Sequence, residues 1–469
     1  MKVHELLDES ARRWPGRTAI VDEQGALAYQ ALAAEAAAVA DRLRSLGVEP
    51  GHGVGVMARN GRGFVIGVFA ALRCGAVVFP MSHRMRPAEL DAFFAAARVH
   101  AVLRDGGELA WTAADRTRPC VEIVPDAAFV RFTSGTTGEA KGVVLSHQAV
   151  LERTAAANRG LGLTCDDAVV WVLPMAFHFF VSIVLYLRVG AAIVVCADHL
   201  AETVLEAANR HRGTLLYASP MHYRLLAADA SGVRFETLRR AVSTAIGLPP
   251  SVARGFETRF GLPISQAYGI IEVGLPMVNL DRARDRPESV GRPLPDYEAA
   301  ILDERLQPLG AGSAGQLALR GPGMFAAYLC PPRTRDEVLR NGWFLTGDIA
   351  RQDPDGLVTV IGRSKSMINV GGNKVFPEEV ESVLDRHPSV AASRVSARAH
   401  PQMGEVVHAD VVLRDAERPV AAEELISFCR RQLSSYKVPQ SVAFVSAVAE
   451  TASGKVRRAG AAGARASHG

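Results

Sequence analysis

The sequence predicts an α/β protein with a large layered N-terminal domain, β-sheets with flanking helices, and a small α+β C-terminal domain. Two observations carry this. Helical and short apolar strand-like segments alternate from residue 1 to about 361, the pattern of a layered α/β body. The chain has 469 residues, 48% hydrophobic and 22% charged, which is the composition of an ordinary globular protein with room for two or three domains.

The elements follow in order. An Ala-rich amphipathic stretch from Gln30 to Leu46 predicts a helix that stops at Gly47. Ala128 to Phe132 reads as a buried strand, Val143 to Leu145 resumes strand character, and Ser146 caps a helix through Asn158. Val169 to Leu187 carries no formal charge over 19 residues, the length needed to span a bilayer. Pro174 and His178 interrupt it, however, and the run reads as strand, helix and strand of a buried core. Asp353 to Gly356 form a strong turn between two short strands. Domain limits are placed at 1–361 and 367–458, with a hinge at 362–366 and a disordered tail over 459–469. Pro377, followed by Glu378 and Glu379, opens a helix favourably against its dipole.

Charge narrows the function classes. The net charge is only +4 and no basic run stands among interleaved aromatics, so neither nucleic acid nor a membrane is expected as a partner. Six cysteines, at 74, 120, 165, 196, 330 and 429, lack metal-like spacing and no signal peptide is read ahead of them, giving the expectation of a reduced, cytoplasmic protein without structural zinc. Only six of the 53 basic residues are lysines. Where an arginine-rich chain keeps lysine, a flexible point charge is a candidate requirement, and Lys141, Lys365 and Lys455 fall in candidate phosphate or hinge motifs.

The densest of these motifs is FTSGTTGEAKG, residues 132–142. Glycine lets backbone N–H groups approach an oxyanion, Ser and Thr add donors, and Lys141 adds a compact charge, so the segment reads as a phosphate grip. Its spacing is not that of a P-loop, since Gly142 follows the lysine where Ser or Thr is required.

TSGTTGEAKG is similar to the signature of the acyl-adenylate-forming enzymes, which include acyl- and aryl-CoA synthetases and peptide-synthetase adenylation domains. Further segments resemble that family in order along nearly the whole chain: LPMAFH (173–178), AYGIIE (267–272), GQLALRGPGMFAAYL (315–329), GWFLTGD (342–348), GRSKSMINVGGNKVFPEEVE (362–381) and TASGKVRR (451–458). The resemblance implies ATP-dependent activation of a small-molecule carboxylic acid to an acyl adenylate, with loss of pyrophosphate and transfer to a thiol.

It also implies roles. Thr133, Ser134, Gly135, Thr136, Thr137, Gly138 and Lys141 would hold the departing phosphates, and Glu272 with Thr137 would hold Mg²⁺. Tyr268 and Gly269 would face the adenine, Asp348 the ribose hydroxyls, and Arg363 the ribose and phosphate. Lys455, on a mobile C-terminal domain, would bridge carboxylate and α-phosphate. Rotation about Lys365 would then withdraw Lys455 and bring Gly371 and Gly372 to a thiol channel. The acceptor is free coenzyme A or the phosphopantetheine of a separate carrier protein. His178 stands where activators of α-amino acids carry Asp, which disfavours a substrate ammonium. Phe177, His178, Phe179, Ser182, Ser243, Ile246, Ala267, Ile271 and Val273 would form the acyl pocket, for an aromatic or a short to medium aliphatic acid.

Two departures stand out. The family Thr that offers a hydroxyl to the α-phosphate is Ile271 here, and STAIGLPP (243–250) replaces a Gly-Gly-Ala-Pro run. Loss of one transition-state donor costs about two to three orders of magnitude, so either a neighbour compensates or activity is low. A nucleotide- or acyl-binding pseudoenzyme is the competing reading.

Overall fold

The computed structural model describes residues 1–133, 141–371, 373–401, 403–415 and 420–448. The tail 459–469, Lys455 and Gly372 lie outside them, as do 134–140 of the glycine-rich loop and the side chain of Thr133.

Two large sheets build the N-terminal body. One has nine strands, with a parallel run through Ala192–Val195, Ala168–Trp171, Leu215–Ala218, Arg240–Ser243 and Ile264–Ile270. The other has eight: Gly53–Ala58, Val77–Ser82 and Ala127–Thr133 are parallel, and Ala127–Thr133 then folds back antiparallel on Lys141–Ser146. Ala327–Tyr328 arrives from far along the chain to pair with the outer side of Lys141–Ser146. These central strands are rich in Val, Ile, Leu and Phe because both faces are covered.

The expected helices form with the expected punctuation. Tyr29–Ser45 is helical, and Leu32, Ala36, Ala40 and Leu43 are buried along one face. The helix His147–Leu161 starts where Ser146 Oγ accepts a hydrogen bond from Ala149 N at 3.1 Å, and Gly162 ends it at φ +60°. The uncharged stretch divides into the strand Ala168–Trp171 and a helical run, Met175–His178, the π-turn Phe179–Ile183, and Val184–Arg188. Among the described residues no helix is long and apolar enough to cross a membrane.

A four-stranded antiparallel sheet follows, in the order Glu298–Leu302, Ala314–Arg320, Phe344–Gln352 and Val358–Arg363. The smaller C-terminal domain has its own sheet, with Gly404–Leu413 at its centre and Val390–His400 antiparallel to it at an edge. Its core of Ile368, Val380, Leu384, Val395, Val411, Leu425 and Cys429 is separate from that of the body. The two regions touch closely. A Cβ at Gly362 would lie 2.6 Å from Glu378 Oε2, and Lys374 Nζ reaches Glu304 Oε1 at 2.7 Å.

Candidate active site

The antiparallel pair around the glycine-rich loop fixes the first group. Thr133 and Lys141 are register partners at its mouth, so the lysine is delivered by a strand. Gly142 is needed for close approach: an added Cβ would lie 2.9 Å from Leu329 Cβ and 3.0 Å from Phe132 Cζ, and its carbonyl accepts from Leu329 N at 2.7 Å. That contact sets Tyr328 beside the loop. Lys141 Nζ lies 5.0 Å from the centre of the Tyr328 ring, and Tyr328 Oη donates to Glu272 Oε1 at 3.0 Å. Burial first, then the Glu272 charge, pushes the Tyr328 phenol far above its ordinary range, so it remains a donor. Sequence reasoning gave Tyr328 no role, although it lies inside a quoted motif.

Glu272 sits in the tight turn between Ile264–Ile270 and Gly274–Val278. A buried arginine braces that turn. Arg153 donates to Ile271 O at 3.0 Å through Nη1, and to Gly323 O at 2.8 Å through Nε and 2.5 Å through Nη2. Glu152 Oε2 accepts from Gly323 N at 3.0 Å, and Phe325 N donates to Glu272 O at 2.7 Å. Gly323 has φ +68°, and a Cβ there would meet Ala149 O and Arg153 N at 2.4 Å. The helix after the loop, the Glu272 turn and the 321–324 turn are therefore one locked unit.

The second group is on the four-stranded sheet. Asp348 and Arg363 are register partners across adjacent strands, and Arg363 Nε lies 3.0 Å from Asp348 Oδ1. Tyr268 Oη donates to Asp348 Oδ2. The Asp348 side chain is only 6% exposed, and Thr346 Oγ1 accepts from its backbone N–H at 3.0 Å. Burial, with the Asp348 charge next, holds the Tyr268 phenol protonated. Three residues singled out separately in the sequence thus form one cluster around the buried Asp348, with Tyr268 hydrogen-bonded to it and the exposed Arg363 ion-paired to it.

The third group surrounds His178. Trp171 and Tyr217 stack at 5.7 Å with planes 5° apart. The His178 ring meets both edge-on, at 5.8 and 6.2 Å. Asn60 pins the segment before it, accepting from Met175 N and donating to Leu173 O, each at 2.8 Å; its distance along the chain hid it from sequence reasoning. Phe177 precedes His178, and Ser182 is buried one turn beyond it. Phe179 is shut into the core against Phe64, Phe69 and Phe129. Val273 is wholly buried, and Ala267 and Ile271 nearly so. Ser243 Oγ is sealed from solvent without a hydrogen-bond partner among the described residues. Ala245 adopts φ +77°, a conformation suited to glycine, and Ile246 projects outward, 36% exposed. Gly269 packs tightly, since a Cβ there would lie 3.0 Å from Gly274 O.

Lys365 is exposed in the short turn Ser364–Ser366. Gly371 adopts φ +56° and donates to Met403 O at 2.9 Å. Arg131, which the sequence reading left unmarked, lies on the strand entering the glycine-rich loop, its Nη1 donating to Phe177 O at 2.9 Å.

Comparison with known proteins agrees with this layout. Residues 7–329 match the AMP-binding enzyme family and residues 379–455 the AMP-binding enzyme C-terminal domain. A feruloyl-CoA synthase from an Amycolatopsis species is 31% identical over 95% of each chain. A sulfoacetate–CoA ligase from Cupriavidus necator is 29% identical over 97% of this chain and 96% of its own. The crystal structure of ATP-bound MatB from Rhodopseudomonas palustris superimposes with a TM-score of 0.86, at 25% identity and 97% coverage of both chains. With both family regions matched in order across one chain, this protein belongs to the AMP-binding enzyme family.

Proposed function

We propose that this enzyme joins an aromatic or short to medium aliphatic carboxylic acid to AMP, releasing pyrophosphate, and then passes the acyl group to coenzyme A. It is an AMP-forming carboxylic acid ligase of the acyl-CoA synthetase type, using ATP and coenzyme A. The observation that carries the reading is the convergence of Lys141, Tyr328 and Glu272 at the base of the glycine-rich loop. The Tyr268–Asp348–Arg363 cluster supplies the second half of a nucleotide site.

Carboxylate and α-phosphate are both anionic, so the chain must neutralise charge as they meet. Lys141 and the loop residues 133–138 would hold the β and γ phosphates. Asp348 would accept hydrogen bonds from the ribose hydroxyls, with Tyr268 and Gly269 against the base and Arg363 next to the sugar. Glu272, its Oε1 already oriented by Tyr328, fits Mg²⁺, which takes one or two carboxylates together with substrate phosphates; with Thr137 it would hold the ion, whose charge offsets that of the triphosphate. Phe177, His178, Ser182, Ser243, Ile246, Ala267 and Ile271 would surround the acid, backed by Phe179 and Val273. The aromatic setting of His178 and the name of the feruloyl-CoA synthase relative support an aryl or apolar acid.

For the second step, the C-terminal domain, bounded by a hinge at 362–366, would turn about Lys365. Lys455 would leave, and Gly371 and Gly372 would line the thiol channel. We place the enzyme in the cytoplasm, in keeping with six unpaired cysteines. Lys455→Ala is expected to abolish adenylation while sparing thioester formation from preformed adenylate; equal loss of both steps would overturn the two-position account.

The test of the whole reading is acid-dependent exchange of labelled pyrophosphate into ATP across a panel of aromatic, aliphatic, hydroxy and amino acids. Exchange with one class, followed by thioester formation on adding coenzyme A, is expected. Turnover with a carrier protein alone would favour a stand-alone adenylation enzyme. No exchange from folded, ATP-binding protein would leave the pseudoenzyme reading.

A further inference from the structure

The AMP-binding enzymes that this chain resembles place a hydroxyl at position 271 toward the α-phosphate; this chain has Ile271, whose side chain is buried in the main core. The neighbourhood nevertheless contains a cation that forms no ion pair among the described residues. Arg131 belongs to the strand Ala127–Thr133 and leads directly into the glycine-rich loop. Its guanidinium carbon lies 5.0 Å from the centre of the Phe177 ring, and Nη1 bonds the Phe177 carbonyl. Nε is sealed from solvent and has no hydrogen-bond partner among the described residues. Among the described residues no carboxylate pairs with it, and the acidic group whose field reaches it is Glu272. Burial pulls its pKa down to about 10, so it remains charged at neutral pH.

Such a site is costly as it stands. An N–H shut off from solvent without an acceptor is destabilising unless a partner arrives. An anion arriving beside Phe177, where the strand enters the glycine-rich loop, would supply that partner.

We infer that Arg131 is a catalytic residue for adenylation, donating to a non-bridging α-phosphate oxygen in place of the hydroxyl absent at Ile271. The inference rests on the adenylation reading above. In the step, a carboxylate oxygen of the acid bonds to the α-phosphorus, and the bond from that phosphorus to the oxygen bridging to the β-phosphate breaks. Pyrophosphate leaves with that electron pair, and no proton is transferred. Arg131 keeps its protons and neutralises charge on the five-coordinate phosphorus. A planar guanidinium suits this, since it offers more than one N–H toward phosphate oxygens.

The test uses the full chain with Arg131→Met and Arg131→Gln, the second guarding against loss of packing, and with Ile271→Thr alone and combined. First, calorimetry gives the affinities for AMP and for adenosine. The preference for AMP over adenosine is expected to fall by about tenfold in both Arg131 variants; an unchanged ratio overturns the inference. Second, pyrophosphate exchange is expected to fall by about a hundredfold in Arg131→Met, and Ile271→Thr is expected to restore at least about tenfold in that background. A changed order of preferred acids with the AMP-to-adenosine ratio intact would assign Arg131 to the acid and overturn the phosphate contact. If the wild type exchanges with no acid, the adenylation reading falls, while the affinity ratio still decides whether Arg131 meets phosphate.

Discussion

Arg131 and Arg153 differ in a way that separates support from chemistry. Arg153 is fully buried and Arg131 partly so, and burial lowers the pKa of each to about 10. Arg153 spends its donors on the carbonyls of Ile271 and Gly323, with Glu152 closing the same turn. Arg131 makes one bond to a carbonyl and leaves Nε idle. A saturated buried cation is part of the scaffold, because its energy is already committed to the fold. An unsaturated one is held open by the scaffold for a ligand. The comparison also shows how the two cooperate: Arg153 fixes the turn that carries Glu272, and Glu272 is the carboxylate whose field Arg131 feels.

The sharpest way to break this contrast is Arg153→Met. It strips two buried carbonyls of their donors, at a cost of roughly 2 to 5 kcal/mol, read as a lower midpoint in urea. A stability equal to wild type would show that Arg153 is not the brace. Arg131→Met sharpens the comparison from the other side. It should alter stability by less than about 1 kcal/mol, since it removes an uncompensated charge along with one hydrogen bond; a loss as large as that of Arg153→Met would make the two arginines equivalent. Tyr328→Phe deletes the donor to Glu272 and should slow pyrophosphate exchange by about tenfold with little change in melting temperature. Unchanged magnesium dependence and rate would remove Tyr328 from the site. The smallest effect is expected at Ala245→Gly, where relief of a left-handed Ala should stabilise by up to about 1 kcal/mol. A destabilised variant would mean that the Ala245 methyl packs usefully.

What the sequence made legible was local. The strands on either side of the loop, the Ser146 cap and the turn at Asp353 to Gly356 each follow from residues within a few positions of one another, and each formed. The resemblance marked Tyr268, Asp348 and Arg363 individually. It could not reveal that Arg363 and Tyr268 both meet Asp348, because register between the strands Phe344–Gln352 and Val358–Arg363 sets the first pairing and tertiary packing the second. Asn60 and Tyr328 act across the chain and show no periodic or spacing signal. Arg131 was hidden for a different reason: it lies inside a stretch read only as a buried strand, and the state of its Nε is visible in the structure alone. Within the acyl wall, Phe179 was assigned by its position in the sequence, whereas the turn of the helix directs it into the core.

The pairing of Ala327–Tyr328 with Lys141–Ser146 has a consequence for the protein while it is being made. At about 5–20 residues per second of synthesis, roughly 10 to 40 s separate the emergence of the two strands from the ribosome. Throughout that interval Val143, Val144 and Leu145 form the open edge of a sheet, which is a template for pairing with another chain. A nascent chain stalled before Leu329 therefore presents an adhesive border next to an unfinished nucleotide grip. The ribosome-bound intermediate, more than the finished enzyme, is the form that a chaperone has reason to recognise.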